Sequence, residues 1–519
     1  MQINNSMPRN KRIQWGITSG AHDASIAVIQ GEDILFAAHA ERSSRKKNDA
    51  FLNTTVFEQA REFGDPGQIF WYENTWKKRL RQLWAGQYKT ALWKATPIEQ
   101  LTGIDVENNL FWAHDLYGEA VFPAQRVKQM SHHHSHAAAG YYTSGYRDAT
   151  VVVIDSIGEF ETLTIWSGKD NNLHRVFSQR YPHSVGLWYS AMTQRIGLKP
   201  NEDEYILMGW AAMGDPDRYY RKIMDDFVEP LGDTPHIRFR HNLHRGCLWW
   251  APELNTVQDY ADIAAATQKV YETLFMHVLK HAVKLNNSKN LVLMGGCALN
   301  CVANGLSYDY YDNVWIMPNP GDAGSSIGCV AAYNQRQLNW TGPYLGYNIQ
   351  GKYPTNKLLA ELETTRMAGC ANGRAEYGPR ALGNRTLFAD PRGADVQDLV
   401  NTVKKRQAFR PFAPVIMEEF AQDYFDGPVG PYMQFVSKCK RPDLFPAISH
   451  LDDTSRVQTV NNEQHPELYG LLLRWYSKTK CPMLLNTSLN IKGEPMVDTE
   501  QDAQRWHNKY GVKVFTQDD

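Results

Sequence analysis

The sequence predicts an α/β protein with a duplicated N-terminal domain and a second domain at the C-terminal end. Two β-rich segments, which begin near residues 13 and 150, are each followed by helical segments and glycine-rich turns, as a duplication would produce. The stretch Gly342–Gly351 is rich in Gly, Pro and Tyr, which favours a domain boundary. We therefore expect one domain over residues 1–345 and another over residues 346–519.

The first half of the duplicated domain opens with three predicted strands. Ile13–Thr18, Ser25–Gln30 and Ile34–Ala40 are rich in apolar and β-branched residues and are bounded by Gly and Asp. The second half also begins with strands, and it contains a long helix whose apolar residues recur about once per turn. The elements predicted there are the strands Thr150–Asp155, Thr162–Trp166, Asn290–Met294 and Val314–Met317 and the helix Val257–Lys284.

Composition excludes several classes of protein. The 55 Lys and Arg residues nearly balance the 56 Asp and Glu residues, which argues against a chain that coats nucleic acid or membranes through bulk charge. Apolar residues make up 43 % of the chain, so a packed core can form, yet no apolar run is long enough to span a membrane. The first residues lack an apolar signal region. We expect a soluble, cytoplasmic enzyme without a membrane partner.

A cluster of histidines, Ser-His-His-His-Ser-His, occupies residues 131–136. His132 and His136 are four residues apart, so a helix would project both imidazoles from one face. Asp155 ends an apolar strand and Asp322 lies in a glycine-rich loop, positions from which carboxylates can reach a cleft. Two imidazoles and two carboxylates suit a divalent metal with open coordination positions, and a helix cap or a solvated surface is the alternative.

Glycine-rich loops lie at the ends of predicted strands, at residues 20–25, 295–296 and 321–324. Glycine lets backbone N–H groups approach phosphate oxygens, so several such loops on one α/β half favour a nucleotide site. Each loop alone is more often an ordinary turn. Neither a Walker A sequence nor Gly-x-Gly-x-x-Gly occurs, which disfavours simple P-loop and Rossmann proteins.

Three further segments carry concentrated positive charge. At residues 377–392 and 404–414, arginines lie among Gly, Pro and aromatic residues, which suits multidentate recognition of a phosphate or carboxylate; an ion-pair network is the equal alternative. Residues 70–94 interleave tryptophans with lysines and arginines, a pattern that can stack bases or sugars. The alternative for this segment is an amphipathic helix that covers the core with its basic groups in solvent.

In their order along the chain, the short motifs resemble the O-carbamoyltransferase family, which includes the nodulation-factor, tobramycin and cephalosporin carbamoyltransferases. The resemblance runs from about residue 14 to about residue 505. The motifs are His22-Asp23-Ala24-Ser25, Glu41-Arg42, His132-x-x-x-His136, Asp155-x-x-Gly158-Glu159, Met208-Gly209, Gly296-Cys297-Ala298-Leu299-Asn300, Gly321-Asp322-Ala323-Gly324, Gly378-Pro379-Arg380-Ala381-Leu382-Gly383, Phe409-Arg410-Pro411-Phe412-Ala413-Pro414 and Asn486-Thr487-Ser488-x-Asn490.

The resemblance implies an N-terminal duplicated ribonuclease-H-like domain of the actin/sugar-kinase type, similar to the tRNA threonylcarbamoyl-transfer subunit, and a C-terminal carbamoyl-phosphate-binding α+β domain. It implies an enzyme that cleaves carbamoyl phosphate, activates the carbamate with ATP and passes carbamoyl-adenylate to an acceptor hydroxyl or amine. ATP would be a substrate, and the cofactor would be a divalent metal, Fe²⁺, Mg²⁺ or Mn²⁺. The acceptor would be a small molecule or, alternatively, a nucleoside in tRNA. Whether the protein forms a homodimer is left open by the resemblance.

The resemblance also assigns roles residue by residue. The metal ligands would be His132, His136, Asp155 and Asp322. Carbamoyl phosphate would bind to Arg380, Lys404, Arg410, Arg456, Asn486 and Thr487. The nucleotide would bind to Lys47, Gly296, Asn300, Gly321 and Gly324. His22, with Asp23 beside it, would be the base or orienting group for the acceptor.

The sequence departs from the family pattern at two positions. Ser156 follows Asp155, where the family usually has Gly, so a Cβ would narrow the approach to the metal. Ile206 stands where the family usually has Lys in Lys-x-Met-Gly, which removes a phosphate-contacting lysine from that position. The alternative to an enzyme is a protein of a different class, a non-catalytic scaffold that binds a nucleotide.

Overall fold

The computed structural model describes residues 12–92, 102–114, 120–407 and 410–518. Within these ranges the largest sheets have seven, five and six strands, and the chain forms them in that order. In the first part of the chain the elements are β1 Ile13–Thr18, β2 Ser25–Gln30, β3 Asp33–His39, α1 Ala40–Ser44, α2 Thr54–Arg61, β4 Gln68–Trp71, α3 Thr75–Trp84, α4 Tyr88–Ala91, β5 Thr102–Asp105, β6 Leu110–His114, β7 Ala120–Gln129 and α5 His132–Thr143.

The second part of the chain forms the five-stranded sheet and the helices around it. Its elements are β8 Asp148–Ile154, β9 Glu161–Lys169, β10 Asn172–Arg180, α6 Val185–Arg195, α7 Glu204–Trp210, α8 Pro216–Phe227, α9 Val257–Leu285, β11 Asn290–Met294, α10 Cys301–Asn304, β12 Asn313–Ile316 and α11 Ser325–Asn334.

The two sheets share one topology. The first has the order β3-β2-β1-β4-β7, extended by β6 and β5, and the second has the order β10-β9-β8-β11-β12. In each, the first three strands along the chain are antiparallel neighbours and the next two are parallel additions. The repeated order and direction confirm the predicted duplicated α/β domain.

Each half places one helix against the sheet of the other half. Helix α5 follows the first sheet in sequence but packs against β8 and β11, whereas α11 follows the second sheet and packs against β1 and β2. The two helices also pack closely against each other. A Cβ on Gly328 of α11 would lie 1.9 Å from the carbonyl oxygen of Ser135 and 2.9 Å from the Cβ of Ala139, so glycine is required there.

The C-terminal domain is a mixed sheet with helices on both faces, which confirms the α+β prediction. The sheet has the order β21-β17-β22-β16-β14-β23; α12 and α15 pack on one face and α13 and α16 on the other. The elements are β13 Tyr344–Ile349, α12 Thr355–Thr365, β14 Met367–Ala371, β15 Gly373–Glu376, β16 Arg385–Ala389, α13 Val396–Lys404, β17 Ala413–Met417, α14 Ala421–Tyr424, β18 Phe425–Asp426, β19 Ser437–Cys439, β20 Thr454–Ser455, β21 Gln458–Val460, α15 Pro466–Thr479, β22 Met483–Ser488, α16 Glu500–Tyr510 and β23 Val514–Phe515.

Local predictions agree closely with these bounds. Strands β1, β2 and β11 begin and end where the sequence pattern placed them, and α9 extends one residue further than predicted. The domain boundary between residues 345 and 346 stays a prediction; β13 crosses it and pairs with β15. Across the described ranges, the search for a helix with the length and apolar character of a membrane span finds none.

Candidate active site

Three separate segments bring four predicted metal ligands together. Helix α5 carries His132 and His136 on one face in its first two turns, as the four-residue spacing predicted. Asp155 directly follows β8, and Asp322 begins a short 3₁₀ turn after β12. Because β8 and β12 belong to the sheet against which α5 packs, both carboxylates end next to the imidazoles. We call these four residues the metal-ligand quartet.

The ligand atoms of the quartet converge on a single point. The Nε2 atoms of His132 and His136 lie 3.1 Å apart. Asp155 Oδ2 is 3.1 Å from His132 Nε2, and Asp322 Oδ1 is 3.2 Å from His136 Nε2. All four ligand atoms lie within 4.8 Å of one another. Two imidazole nitrogens that face each other at this distance need a proton or a cation between them, so the donor set fits a divalent metal.

Burial rules out the alternative of a solvated histidine cluster. His132 and His136 are buried, and the side chains of Asp155 and Asp322 are each 9 % exposed. Burial raises the pKa of each carboxyl, but the hydrogen bonds and charges of the histidines outweigh it and hold both pKa values below their usual range. Burial lowers the pKa of His132, and the two carboxylates outweigh it and raise that pKa well above its usual value. The quartet therefore combines acceptors held in ionised form with imidazoles.

His22 and Asp23 lie beside the quartet. His22 Nδ1 is 2.9 Å from Asp23 Oδ2, and its Nε2 is 3.9 Å from Asp322 Oδ2. Burial lowers the pKa of His22, but its hydrogen bond to Asp23 and the charge of Asp322 outweigh it and raise the pKa to about 9. The His22 ring is half exposed and lines the cavity, so it can contact a bound molecule.

The predicted nucleotide residues divide into two groups. Lys47, Gly296, Asn300 and Gly321 line the cavity. The N–H of Gly296 donates to Asp155 Oδ1 at 2.9 Å, which ties this loop to the quartet. Gly324 is buried and does not line the cavity. A Cβ there would lie 1.9 Å from the carbonyl oxygen of Asn319. Its glycine is explained by packing, and its contact with a nucleotide stays a prediction.

A second group of functional side chains comes from the C-terminal domain. We call Arg380, Lys404, Arg406, Arg410 and Arg456 the basic cluster; all five line the same cavity as the quartet. The family motifs assign no role to Arg406, although it lies in the basic segment 404–414. Its position beside Thr487, to whose Oγ1 it donates at 3.2 Å, is visible only in the structure.

Among the described residues, the basic cluster lacks ion pairs, although the charge of Asp203 acts on Arg410. Arg392 nearby pairs with Asp390 at 2.8 Å, but within the described ranges none of the five cluster residues forms an ion pair with a carboxylate. Burial, and then the neighbouring cations, lower the pKa of Arg380 and of Arg406 to about 9 and that of Lys404 well below its usual value. An ion-pair network is therefore the wrong interpretation, and uncompensated positive charge is what an anion site requires.

Neutral polar groups complete this part of the cavity. Asn486 is buried and donates to the carbonyl of Ala381 and to Gln458, while its Oδ1 has no hydrogen-bond partner. Lys404 donates to the carbonyl of Ser488 and to Asn490, each at 2.5 Å. These contacts hold the ammonium group at the cavity wall without neutralising it.

One continuous cavity of about 1250 Å³ joins the quartet and the basic cluster. Tyr205 of α7 lies between residues of both domains: the Arg410 guanidinium is 4.7 Å from its ring centre and the Lys47 ammonium is 5.7 Å away. Two arginines of the N-terminal domain reach across to the C-terminal domain. Arg42 donates to backbone carbonyls at residues 376, 378 and 497, and Arg45 to those at residues 495 and 496.

Among the described residues of the basic, tryptophan-rich segment 70–94, some basic side chains line the cavity and others face solvent. Lys78 bonds Glu73 at 2.7 Å and Arg81 bonds the carbonyl of Glu159 at 3.2 Å, and both line the cavity. Lys77 and Arg79 face solvent, together with Trp76 and Trp84. The expectation that the basic groups point to solvent is thus wrong for Lys78 and Arg81. Trp93 and Lys94 lie outside the described residues.

The fold and the cavity define a two-domain α/β protein whose domains share one site. The family models Carbamoyltransferase N-terminus and Carbamoyltransferase C-terminus match residues 82–332 and 359–519. The chain therefore belongs to the carbamoyltransferase family and is a transferase, which confirms the resemblance seen in the motifs.

Individual relatives support the same family. The Uncharacterized protein sll1178 of Synechocystis is 32 % identical over 94 % of this chain and 93 % of its own length. The Nodulation protein NolO of Bradyrhizobium diazoefficiens is 32 % identical over 72 % of this chain and 75 % of its own. The 3'-hydroxymethylcephem-O-carbamoyltransferase of Amycolatopsis lactamdurans is 25 % identical over 95 % of both chains.

Solved structures are more distant. Full-length HypF in the phosphate- and nucleotide-bound form is 12 % identical, with a TM-score of 0.35, over 63 % of this chain and 56 % of its own. A ROK family glucokinase from Streptomyces griseus is 10 % identical, with a TM-score of 0.26, over 62 % of this chain and 99 % of its own.

Proposed function

We propose that the protein transfers the carbamoyl group of carbamoyl phosphate to a hydroxyl or amine of a small molecule, with ATP as co-substrate and carbamoyl-adenylate as intermediate. The observation that carries the proposal is the single cavity whose wall contains both the metal-ligand quartet and the basic cluster. Carbamoyl phosphate and ATP are both polyanions, and these two groups of side chains supply complementary charge for each.

The basic cluster suits the donor half of the reaction. Arg380, Arg410 and Arg456 present guanidinium groups to the cavity, and Lys404 adds an ammonium group. Bound to these cations, the phosphate of carbamoyl phosphate becomes a better leaving group, because the negative charge that develops on it is stabilised. Water would add to the carbamoyl carbon as inorganic phosphate leaves, and the carbamate formed in this way would attack the α-phosphate of ATP and release pyrophosphate.

The quartet suits the nucleotide in both halves of the reaction, as ATP in the donor half and as the adenylate in the transfer half. A divalent cation bound there, Fe²⁺, Mg²⁺ or Mn²⁺, would offset negative charge on the adenylate phosphate. The backbone of Gly296 and Gly321 and the side chain of Lys47 line the neighbouring cavity wall, where the nucleotide would lie. A cation in the quartet would offset the charge of Asp322 that raises the pKa of His22, so that the neutral ring would accept the proton of an attacking hydroxyl while its Nδ1–H donates to Asp23.

The shared cavity gives a reason for one chain to carry both sets of residues. Carbamate and carbamoyl-adenylate hydrolyse in water, so transfer within one cavity limits their loss. Arg42 and Arg45 tie the two domains together beside this cavity through backbone carbonyls. The proposed intermediate would thus pass between sites that are held in fixed relation.

The decisive experiment follows the donor half without an acceptor. Purified protein with carbamoyl phosphate, ATP and Mn²⁺, Mg²⁺ or Fe²⁺ should form carbamoyl-adenylate and pyrophosphate, detected by mass spectrometry. His136→Ala and Arg410→Ala should abolish both products. The exposed residues His174 and Arg441 provide matched controls, and His174→Ala and Arg441→Ala should retain them. Binding of ATP without either product, with every metal, would favour a nucleotide-binding scaffold instead.

A carbamoyl- or threonylcarbamoyl-type transferase that modifies a nucleoside in tRNA is the second candidate. One observation favours it: Lys77 and Arg79 lie on the solvent face of α3 next to the exposed rings of Trp76 and Trp84. Cations interleaved with exposed aromatic rings are suited to single-stranded nucleic acid. In its carbamoyl form this candidate shares the donor half of the reaction and differs in the acceptor, whereas its threonylcarbamoyl form also needs a different donor.

A further inference from the structure

We propose that Glu159 is a positioning residue for the metal-ligand quartet, and this inference rests on the metal site of the proposed function. Glu159 lies four residues after Asp155, in the loop between β8 and β9, and it is 1 % exposed. It is not a ligand in the quartet. Its carboxylate instead binds the backbone of the helix that carries both histidines.

The first step of the argument is the N-terminus of α5. The first N–H groups of a helix lack partners within the helix, and a Ser, Thr, Asn or Asp at the preceding position usually binds one of them. Ser131 occupies that position in α5, but its side chain makes no such bond. Glu159 supplies the bond from a distant part of the chain, with Oε1 and Oε2 at 3.0 and 3.2 Å from the N–H of His132.

The second step is the connection to α3. Oε1 of Glu159 also accepts the N–H of Asn74 at 2.6 Å, and Asn74 is the residue that caps α3. The carbonyl oxygen of Glu159 accepts from Nε of Arg81 at 3.2 Å. One buried residue therefore joins the β8–β9 loop, the start of α5 and α3. Glu73, which precedes Asn74, places its Oε2 4.0 Å from the free Nδ1 of His132.

The third step links these bonds to the quartet. His132 and His136 move with α5, whereas Asp155 moves with the loop that contains Glu159. The carboxylate of Glu159 is a direct bond between that loop and the first residue of the helix. It thereby sets the distance between the imidazole nitrogens and the Asp155 oxygen. Groups that orient metal ligands in this way typically change metal affinity by about 10- to 100-fold when they are replaced.

The test uses the full chain and Mn²⁺ alone as the probe. In Glu159→Gln, an NH₂ group replaces one of the two oxygens that accept from the N–H of His132, and the negative charge that strengthens the bonds from His132 and Asn74 is lost. We expect the dissociation constant for Mn²⁺, measured by calorimetry or electron paramagnetic resonance, to rise about 10-fold or more. Glu361→Gln is the matched control, because Glu361 is also buried and bonds Lys513 at 2.8 Å in the C-terminal domain. It should bind Mn²⁺ like the unaltered protein.

The melting temperature of the metal-free protein separates positioning from general stability. A purely structural role would lower the melting temperature of Glu159→Gln while leaving its Mn²⁺ affinity within about twofold, and that result would overturn the inference. If Glu159→Gln does not fold, Glu159→Asp, which keeps the charge but shortens the reach, takes its place and should also weaken Mn²⁺ binding. Absence of Mn²⁺ binding to the unaltered protein would overturn the metal site itself.

Discussion

The metal-ligand quartet and the basic cluster are built on opposite electrostatic principles. In the quartet, carboxylates and imidazoles bond one another, so that His132 and Asp155 stabilise each other's charged forms. In the basic cluster, Arg380 and Arg406 face other cations and neutral groups only, and burial adds to their mutual repulsion. The quartet is therefore organised before its ligand arrives, whereas the cluster becomes electrostatically favourable once an anion binds.

Removal of one charge from the quartet should have the largest effect. Asp155→Asn keeps the shape of the side chain but loses the negative charge that a divalent cation requires. We expect Mn²⁺ affinity to fall by at least about 100-fold, since a direct ligand should matter more than a residue that orients one. Asp148→Asn, at the exposed start of the same strand, is the control. Equal Mn²⁺ binding by the two variants would show that the quartet does not hold the metal.

Replacement of an arginine in the basic cluster by alanine should change the melting temperature in the opposite direction from the loss of an ion pair. Arg380→Ala removes repulsion, so the melting temperature without ligand should stay the same or rise. The KM for carbamoyl phosphate should increase by about 30-fold, which corresponds to roughly 2 kcal/mol for a lost charged contact. Arg392→Ala, which breaks the ion pair with Asp390, should lower the melting temperature and leave this KM unchanged. A melting temperature that falls in Arg380→Ala would restore the ion-pair interpretation.

The pKa of His22 reports the negative charge of the neighbouring quartet. Its pKa of about 9 in the metal-free protein is above the ordinary value of 6.5, so protonation of His22 stabilises the fold below pH 6.5 and that stabilisation is lost as pH rises through 9. Mg²⁺ bound by the quartet should lower the pKa of His22, because it offsets the charge of Asp322. Nuclear magnetic resonance titration of His22, with and without Mg²⁺, measures both values. A pKa near 6.5 in the metal-free protein would contradict the prediction.

The smallest effect on the donor reaction is expected from the solvent face of α3. Lys77→Glu combined with Arg79→Glu should leave carbamoyl-adenylate formation unchanged, because neither side chain lines the cavity. The same double variant should abolish retention of tRNA if tRNA is the acceptor. Lys78→Gln, which alters the Glu73 pair at the cavity wall, is the comparison. Unchanged tRNA retention by the double variant would remove the observation that favours a tRNA acceptor.

The sequence allowed much of the fold to be predicted because the signals involved are local. Strands β1, β2 and β11 follow from runs of apolar and β-branched residues, and the position of His132 and His136 on one helix face follows from their spacing. The order of motifs identified the family. These patterns need no knowledge of which distant segments come together.

Features that depend on distant contacts could not be predicted in this way. The direction of Lys78 and Arg81 is set by Glu73 and by the loop that holds Glu159, and no local pattern marks that choice. Gly324 has the same loop context as a phosphate-binding glycine, yet its Cβ position is occupied by a carbonyl oxygen. Whether carboxylates form ion pairs with the basic cluster likewise depends on the fold, and the sequence alone does not show that the described carboxylates form none.

The exchange of α5 and α11 between the two sheets has a consequence for dividing the chain. A cut between α5 and β8 would leave His132 and His136 on one fragment and Asp155 and Asp322 on the other. Neither fragment would contain more than half of the quartet, and each would expose the sheet surface that the other's helix covers. Reassembly of the two fragments would therefore restore the metal ligands and the buried core in a single event, so that metal binding would report fragment complementation directly.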